Sequence, residues 1–271
     1  MAPTTSRPIG LVLCGGGAKG AYQMGVWKYL LEAGIYDQIG AISGVSVGAL
    51  NGVMMVQDIY EQAVDIWKSF RQQDLFVKAN EEDPSLFSQE RIYAWIQQGL
   101  VKWDVVDKPI EMYVCVSAKS PSLWPLMQKN FRARELLFES EYICVNSFDK
   151  KEVSRLLLAS SAIPGIYPSH TIHGKEYVDG GVIDNSPVRP LLDSGYKKII
   201  VVHLQENNEE EQAKWEKSLK GRSYPNVTFY HVYPSEPITF FDTYLINKVL
   251  TLGRMGLGYE DAQNQLKELS L

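Results

Sequence analysis

Cysteine is scarce in this sequence. Three cysteines occur among its 271 residues, at Cys14, Cys115 and Cys144, and each ends or interrupts an apolar run. No two of them have the spacing of metal-ligand pairs, so the cysteines indicate neither a zinc site nor a disulfide framework. We expect three buried, reduced thiols, as is usual for free cysteine in a cytoplasmic protein.

An excess of positive charge is also missing. The chain has 27 Lys and Arg against 32 Asp and Glu, which gives a net charge of -5. Proteins that bind nucleic acid present a basic face, so we expect no nucleic-acid partner. The first ten residues, MAPTTSRPIG, lack the basic and apolar regions of a secretory signal peptide, which again favours a cytoplasmic location.

Only one uncharged stretch, residues 38–57, has the length of a membrane span, about 20 residues. Glycine recurs in it at every fourth position, and this lowers its hydrophobicity. Its polar side chains are Gln38, Ser43, Ser46, Asn51 and Gln57. We therefore expect no transmembrane span, and we interpret the segment as a strand, a turn and a helix.

Apolar runs alternate with helical patterns along the chain. The predicted strands are residues 9–14, 39–43, 110–118, 141–148, 197–204 and 227–233, with a hairpin turning at Gly174. The predicted helices are residues 18–34, 47–56, 60–71, 89–98, 151–160, 207–219 and much of the chain from 239 onward. This alternation favours a three-layer α/β/α fold with a central, mostly parallel sheet. Because no linker or repeat is evident, we expect a single domain over residues 1–271.

A glycine-rich loop, CGGGAKG, follows the first predicted strand. It fits the spacing of dinucleotide-binding loops, but the second strand ends without the carboxylate that would hold a ribose. It does not fit the phosphate-binding P-loop, because Ala21 and Tyr22 follow Gly20. A third interpretation is an oxyanion cradle, in which consecutive glycines let backbone N–H groups point into one space at the start of a helix.

The segment Gly44-Val45-Ser46-Val47-Gly48 fits the pattern G-x-S-x-G. That pattern makes a sharp strand-to-helix turn with a serine at its apex, and here it lies between a predicted strand and a predicted helix. Ser46 is therefore the candidate nucleophile. Gly44 and Gly48 would shape the turn, while Gly48 and Gly52 would give the following helix a smooth face.

A serine nucleophile needs a general base. The order Ser46, Asp179, His203 is that of an α/β-hydrolase triad, but Ser46 comes too early for that fold, and the oxyanion glycines follow the first strand instead of the third. Asp179 alone is the other candidate, because partial desolvation at the turn before Gly180-Gly181 can raise its pKa. Asp184 is the competing carboxylate in the same segment.

Three motifs in this order resemble the patatin-like phospholipase family: Gly15-Gly16-Gly17-Ala18-Lys19-Gly20, Gly44-Val45-Ser46-Val47-Gly48 and Asp179-Gly180-Gly181. The resemblance covers about residues 9–190 and extends to the flanking ASSAIPGIYPS, Asn185 and Pro187. It implies a patatin-like α/β fold, which residues 195–271 would complete. It also implies a lipid acyl hydrolase with a serine–aspartate dyad and no histidine.

The resemblance also implies individual roles. Ser46 would be the nucleophile and Asp179 the base, and the reaction would pass through an acyl-enzyme without a metal or cofactor. The oxyanion N–H groups would come from Gly16 and Gly17, with their neighbours Gly15 and Ala18. The supporting residues would be Lys19, Gly44, Gly48, Gly180 and Gly181. Lys19 occupies a position where the family often has arginine. The lysine keeps the positive charge but lacks the planar guanidinium group, which can donate two parallel hydrogen bonds.

Two other functions stay open at this point. One is a carboxylesterase with a Ser–Asp–His triad, and the other is a non-catalytic nucleotide- or anion-binding module that uses the glycine loop. The partner implied by the resemblance is a lipid or another fatty-acyl ester. Peripheral contact with a membrane surface is a further expectation for two apolar segments, residues 122–127 and 237–246, with core packing as the alternative.

Overall fold

The computed structural model describes residues 7–79, 85–105, 107–119, 138–220 and 222–269. The strands are β1 Ile9–Leu13, β2 Ile39–Val45, β3 Glu111–Lys119, β4 Phe138–Cys144, β5 His170–Ile172, β6 Lys175–Asp179, β7 Lys198–Val202 and β8 Thr228–Val232. The α-helices are α1 Ala21–Glu32, α2 Val47–Val56, α3 Tyr60–Ser69, α4 Gln72–Leu75, α5 Glu90–Gly99, α6 Lys150–Ser160, α7 Arg189–Asp193, α8 Glu209–Ser218 and α9 Lys248–Gln265. Short 3-10 helices span Gly17–Gly20, Tyr36–Gln38, Gly180–Val182 and Phe240–Thr243. Residues 122–127, one of the two segments predicted to contact a membrane, lie outside the described residues.

The strands of the described residues join one sheet in the order β5-β6-β3-β2-β1-β7-β8, and β4 also pairs with β3. Strands β1, β2, β3, β7 and β8 are mutually parallel. The remaining strands pair antiparallel with their neighbours. The prediction of a central, mostly parallel sheet is therefore confirmed.

Alternate residues of the central strands enter two different hydrophobic clusters. Leu11 and Leu13 of β1 belong to the larger cluster, together with residues of α1, α2, α3, α5, α6 and α9. Val12 belongs to a second cluster with Val201 of β7 and Leu191 of α7. Because side chains alternate across a strand, the two clusters lie on opposite faces of the sheet, and helices cover both faces.

Strand β3 has three partners because two of them share one of its edges. Strand β4 pairs with β3 along residues 113–119 and so occupies one edge. Strand β2 pairs in parallel with residues 111–115, and β6 pairs antiparallel with residues 116–118, both on the other edge. β2 and β6 therefore run toward each other, and their last residues, Val45 and Asp179, pair with the adjacent Cys115 and Val116.

The C-terminal helix α9 packs closely against α1. A Cβ added to Gly25 would lie 1.8 Å from the carbonyl oxygen of Met255, and one added to Gly258 would lie 2.1 Å from that of Tyr22. The Tyr22 hydroxyl also donates a hydrogen bond to Asp261 at 3.0 Å. Glycine is required at this contact because the two backbones touch. The prediction that the C-terminal part is helical is confirmed.

Two sequence expectations concern the apolar segments of the chain. Residues 38–57 fold into β2, a turn and α2, and none of the helices described is both long enough and apolar enough to cross a membrane. Cys14 and Cys115 are buried, but Cys144 is exposed, so the expectation of three buried thiols is wrong at that position. The reason is that Cys144 ends β4, which has β3 as its one partner among the strands of the described residues.

Replacing Gly258 by Ala should destabilise the fold through the α1–α9 contact. We expect the free energy of unfolding to fall by about 2 kcal/mol, because the added methyl group meets backbone that can move only with the whole helix. Gly256 is a matched control in the same helix, since nothing lies within 4 Å of a Cβ added there. Gly256→Ala should be neutral or stabilising by up to about 1 kcal/mol. Urea unfolding measures both changes, and equal effects at the two positions would contradict the prediction.

Candidate active site

Ser46 occupies the sharp turn between β2 and α2. Its backbone has φ 53° and ψ -126°, a conformation that non-glycine residues adopt only when the surrounding structure enforces it. The enforcement comes from close packing: a Cβ on Gly44 would lie 2.5 Å from the Gly48 oxygen, and one on Gly48 would lie 2.1 Å from the Leu13 oxygen. The G-x-S-x-G segment thus forms the expected turn, with Ser46 at the N-terminus of a helix.

Asp179 lies beside Ser46, at the end of β6. Its Oδ1 accepts a hydrogen bond from the Gly181 N–H at 2.7 Å. Burial raises the pKa of Asp179 to about 7, although the Gly181 N–H and the Ser46 hydroxyl act to lower it. A carboxyl group that ionises near neutral pH therefore lies close enough to the serine hydroxyl to be influenced by it, which suits a general base.

The turn after Asp179 allows this approach. A Cβ on Gly180 would lie 2.5 Å from the carbonyl oxygen of Cys115, so the chain passes directly over β3 at the point where β2 and β6 meet. Gly181 contributes the N–H that holds Asp179. Both glycines predicted to support this turn are thus in contact with the residues they would position.

The glycine loop lies next to Ser46. A Cβ on Gly15 would lie 3.2 Å from the Cβ of Ser46, and Asn185 donates a hydrogen bond to the Gly15 carbonyl at 3.3 Å. Gly17 has φ 56° and opens the 3-10 helix Gly17–Gly20. The first N–H groups of a helix have no acceptor within the helix, and Gly17 and Ala18 line the same pocket as Ser46. The structure therefore brings Gly15, Gly17 and Ala18 together with Ser46, while Gly16 lies between them in the loop and packs against Leu204 and Lys19.

Lys19 is buried, with only 2% of its surface exposed. Burial lowers its pKa to about 8, Lys214 and Arg254 lower it further, and Glu211 and Asp242 oppose them. Its side chain packs beside Gly16, and it is not among the described residues that line the pocket at Ser46. The position of Lys19 is thus at the glycine loop, as expected, but away from the space beside the nucleophile.

Ser160, at the end of α6, holds the backbone of Ser46. Its Oγ accepts a hydrogen bond from the Ser46 N–H at 2.8 Å and donates one to the Cys115 carbonyl at 2.7 Å. The N–H of Ser46 is therefore already engaged. The segment ASSAIPGIYPS contains Ser160, but nothing in its pattern indicates this contact.

Arg254 of α9 was not indicated by any motif. It is buried, and it donates hydrogen bonds to the carbonyl oxygens of Ala18 at 3.1 Å and Leu245 at 2.8 Å. It also pairs with Asp242 at 2.8 Å. One guanidinium group thus joins the glycine loop to the segment before α9, and it fixes the orientation of the peptide that follows Ala18.

His203, the histidine considered for a triad, has other partners. Its Nδ1 lies 3.1 Å from the Glu211 carboxylate, and its Nε2 lies 3.0 Å from Nδ1 of His231. Both ring nitrogens are engaged away from Ser46, so the structure does not bring the three members of a triad together.

Asp184, the competing carboxylate, is also engaged. It accepts hydrogen bonds from the hydroxyl groups of Tyr142 and Ser218, both at 2.6 Å, and from the Ser186 N–H. These partners lie in β4, in α8 and in the chain just before α7. Of the two carboxylates in this segment, Asp179 is the one that contacts the serine.

An apolar pocket opens beside Ser46 and encloses about 600 Å³, its mouth included. Its walls are Gly17, Ala18, Val47, Leu50, Trp67, Phe70, Leu75, Ile92, Trp95, Ser161, Ile163, Tyr167, Thr243, Tyr244 and Ile246. Residues 237–246 were expected either to contact a membrane or to pack in the core, and three of them form a wall of this pocket. Within the described residues, no group of three His, Cys, Asp or Glu side chains is placed to hold a metal ion.

Comparison with known proteins identifies a family and several relatives. The family model described as Patatin-like phospholipase matches residues 11–192. Lysophospholipase NTE1 of Kluyveromyces lactis is 25% identical over 227 residues, which is 80% of this chain and 14% of that protein. The Debaryomyces hansenii protein of the same name is 28% identical over 210 residues, 74% of this chain and 12% of that protein. The chain thus spans only a small part of the length of these curated relatives.

Among solved structures, human GIVD cytosolic phospholipase A2 aligns with a TM-score of 0.55 and 8% identity, covering 97% of this chain and 62% of that one. At that identity the likeness concerns the fold alone.

Replacing Asp179 by Asn should change how stability depends on pH. The pKa of Asp179 is raised from 3.8 to about 7 in the folded protein. Between these values the folded protein keeps a proton that the unfolded chain has released, so its free energy of unfolding falls as the pH rises. The Asp179→Asn variant has no carboxyl group at this position, so it does not show this fall. We expect its stability relative to the parent to increase from about pH 4 to about pH 7, by more than about 1 kcal/mol, and then to level off. Urea unfolding across this range measures the difference, and parallel curves would contradict it.

Proposed function

The chain belongs to the patatin-like phospholipase family, and we propose that it is a lipid acyl hydrolase in which Ser46 is the nucleophile and Asp179 the general base. The observation that carries the proposal is the placement of the buried Asp179 carboxylate beside Ser46, where the strands before them end on adjacent residues of β3. The name of the sequence relatives, lysophospholipase, supports a fatty-acyl ester of a phospholipid as the substrate class.

In the first step, the Asp179 carboxylate accepts the proton of the Ser46 hydroxyl as Oγ bonds to the ester carbonyl carbon. The carbonyl oxygen becomes an oxyanion. The donors that we propose for it are the amides of Gly16, Gly17 and Ala18, with Gly15 alongside, while the Ser46 amide stays bonded to Ser160. The intermediate then collapses, the bond to the alcohol oxygen breaks, and Asp179 returns the proton to that oxygen. The product is an acyl-enzyme and a free alcohol.

In the second step, water attacks the acyl-enzyme. Asp179 accepts a proton from the water, the same amides hold the second oxyanion, and the bond between Oγ and the acyl carbon breaks. Ser46 regains its proton and a fatty acid leaves. A carboxyl group with a pKa of about 7 suits this cycle, because it can both take up and return a proton near neutral pH.

The pocket offers a binding site for the acyl chain of the substrate. Its walls are almost entirely aliphatic and aromatic side chains, including Trp67, Phe70 and Trp95. Each methylene group transferred from water into such surroundings contributes about 0.8 kcal/mol. A long acyl chain can therefore hold its ester group beside Ser46 without any charged contact.

We also propose that residues beyond 192, outside the family match, belong to the same domain as the site. Arg254 donates to the Ala18 carbonyl, and a Cβ on Gly17 would lie 2.5 Å from the Thr243 carbonyl oxygen. The C-terminal segment is thus in direct contact with the glycine loop.

Four single variants separate the proposed dyad from its alternatives. Ser46→Ala and Asp179→Asn should each lower kcat/KM for p-nitrophenyl butyrate by more than about 1,000-fold, since both residues act in the same step. Ser46→Ala should also abolish labelling by a fluorophosphonate. A histidine triad requires the same loss in His203→Ala, whereas we expect that variant to stay within about threefold of the parent.

Ser43→Ala is the matched control, because Ser43 is a buried serine in the same segment whose hydroxyl has no partner among the described residues. It should leave activity and labelling unchanged. Full activity in Ser46→Ala would overturn the enzyme proposal, and binding of anions indifferent to Ser46 would favour the non-catalytic alternative.

Leu50 should limit the length of the acyl chain. It lines the pocket at Ser46 and also a narrow adjoining space of about 170 Å³, its opening included, which is lined further by Val53, Met54, Trp95, Ile96, Gly99 and Leu157. Leu50→Ala should join the two spaces, so that kcat/KM for long esters rises relative to butyrate by about fourfold for each added methylene that fits. Val53→Ala enlarges the adjoining space alone and should leave the ratio unchanged. A series of p-nitrophenyl esters measures it, and the same profile in both variants would contradict a limiting role for Leu50.

A further inference from the structure

Large apolar side chains are exposed where the chain enters α9. Val249 is 80% exposed, Leu252 43%, Leu245 38% and Phe241 75%. Val249 and Leu252 are three residues apart in α9 and therefore lie on one face of its first turns. Phe241 and Leu245 come just before the helix. We call these four residues the α9 patch. Large apolar side chains exposed together within residues 241–252 are the kind of surface that marks an interaction site.

The α9 patch adjoins the mouth of the pocket. Thr243, Tyr244 and Ile246, which alternate in sequence with patch residues, line the pocket itself. Helix α9 runs alongside α1, with Arg254 bonded to Ala18 near one end and Tyr259 bonded to Glu32 toward the other. The first turns of α9 therefore lie at the glycine-loop end of the molecule, where the pocket opens.

The charge around the patch differs from that of the chain as a whole. The net charge is -5, yet residues 241–259 contain a single acidic residue, Asp242, against Lys248 and Arg254. Lys248 is exposed beside Val249, while Asp242 forms an ion pair with Arg254. An apolar surface with an exposed lysine at its edge, and with its one nearby carboxylate paired to arginine, matches a phospholipid surface, where apolar chains lie beneath phosphate groups.

We propose that the α9 patch docks the protein on a phospholipid surface, with Phe241, Leu245, Val249 and Leu252 inserted among the lipids and Lys248 at the phosphates. The proposal rests on the proposed function in one respect, that a lipid must enter the pocket. A second copy of the chain seated on the patch would cover the mouth, whereas a lipid surface there delivers substrate to it. A lipid could then pass from the bilayer into the pocket at Ser46 without first entering the surrounding water.

Binding is measured by sedimentation with vesicles of phosphatidylcholine and phosphatidylglycerol, using the Ser46→Ala protein so that no lipid is consumed. Val249→Glu in this background should weaken binding by about tenfold, and Leu252→Glu should weaken it to a similar extent. Val105→Glu is the matched control. Val105 is also a valine and is 83% exposed. It precedes the first residue of β3, whereas Ser46 follows the last residue of the parallel strand β2, so the two lie toward opposite ends of these strands. Its variant should bind as the parent does.

The proposal is overturned if both α9 variants bind vesicles like the parent, or if Val105→Glu weakens binding equally. It is also overturned if the α9 variants change only the oligomeric state in analytical ultracentrifugation, which would assign the patch to a second copy. With Ser46 intact, Val249→Glu should keep full activity on soluble p-nitrophenyl butyrate and lose activity on vesicles. Vesicle binding together with an active Ser46→Ala protein would refute the proposed function and leave the docking surface standing.

Discussion

The site depends on the meeting of two strand ends along one edge of β3. Because β4 occupies the other edge, β2 and β6 must share this one, and they approach from opposite directions. Their last residues pair with Cys115 and Val116, so the chain leaving each strand emerges at the same place. Ser46 and Asp179 are far apart in sequence and are brought together by backbone pairing, before any side-chain contact is considered.

This arrangement is held under strain. Ser46 keeps a positive φ, and Asp179 is buried with a raised pKa, and both features oppose folding. The surrounding contacts offset them. Glycines let backbones touch at Gly44, Gly48 and Gly180, and Ser160 ties the Ser46 amide to β3. The reactive geometry is thus a property of the sheet and its turns, and the two side chains alone would not produce it.

The sequence was sufficient for those parts of the site that require glycine at fixed offsets. A strained serine turn, an amide cradle and a tight turn after Asp179 each leave such a signature, so Ser46, the loop at residues 15–18 and Asp179 could be located in advance. The alternation of strands and helices likewise predicted the layers. The sequence pattern did not reveal which edge of β3 pairs with β6, because the residues of an apolar strand do not specify its partner strands.

Long-range polar contacts were beyond sequence reasoning for a similar reason. Ser160 and Arg254 act through backbone carbonyls and amides of distant segments, and an ordinary serine or arginine carries no sign of that. The burial of Lys19 and the exposure of Cys144 depend on neighbours that only the fold supplies.

The hydrogen bond from Arg254 to Ala18 has a consequence for the order of events during translation. The ribosome makes the glycine loop, the serine turn and the Asp179 turn well before it makes Arg254. The peptide after Ala18 therefore gains this restraint only when the last helix of the described chain has been made.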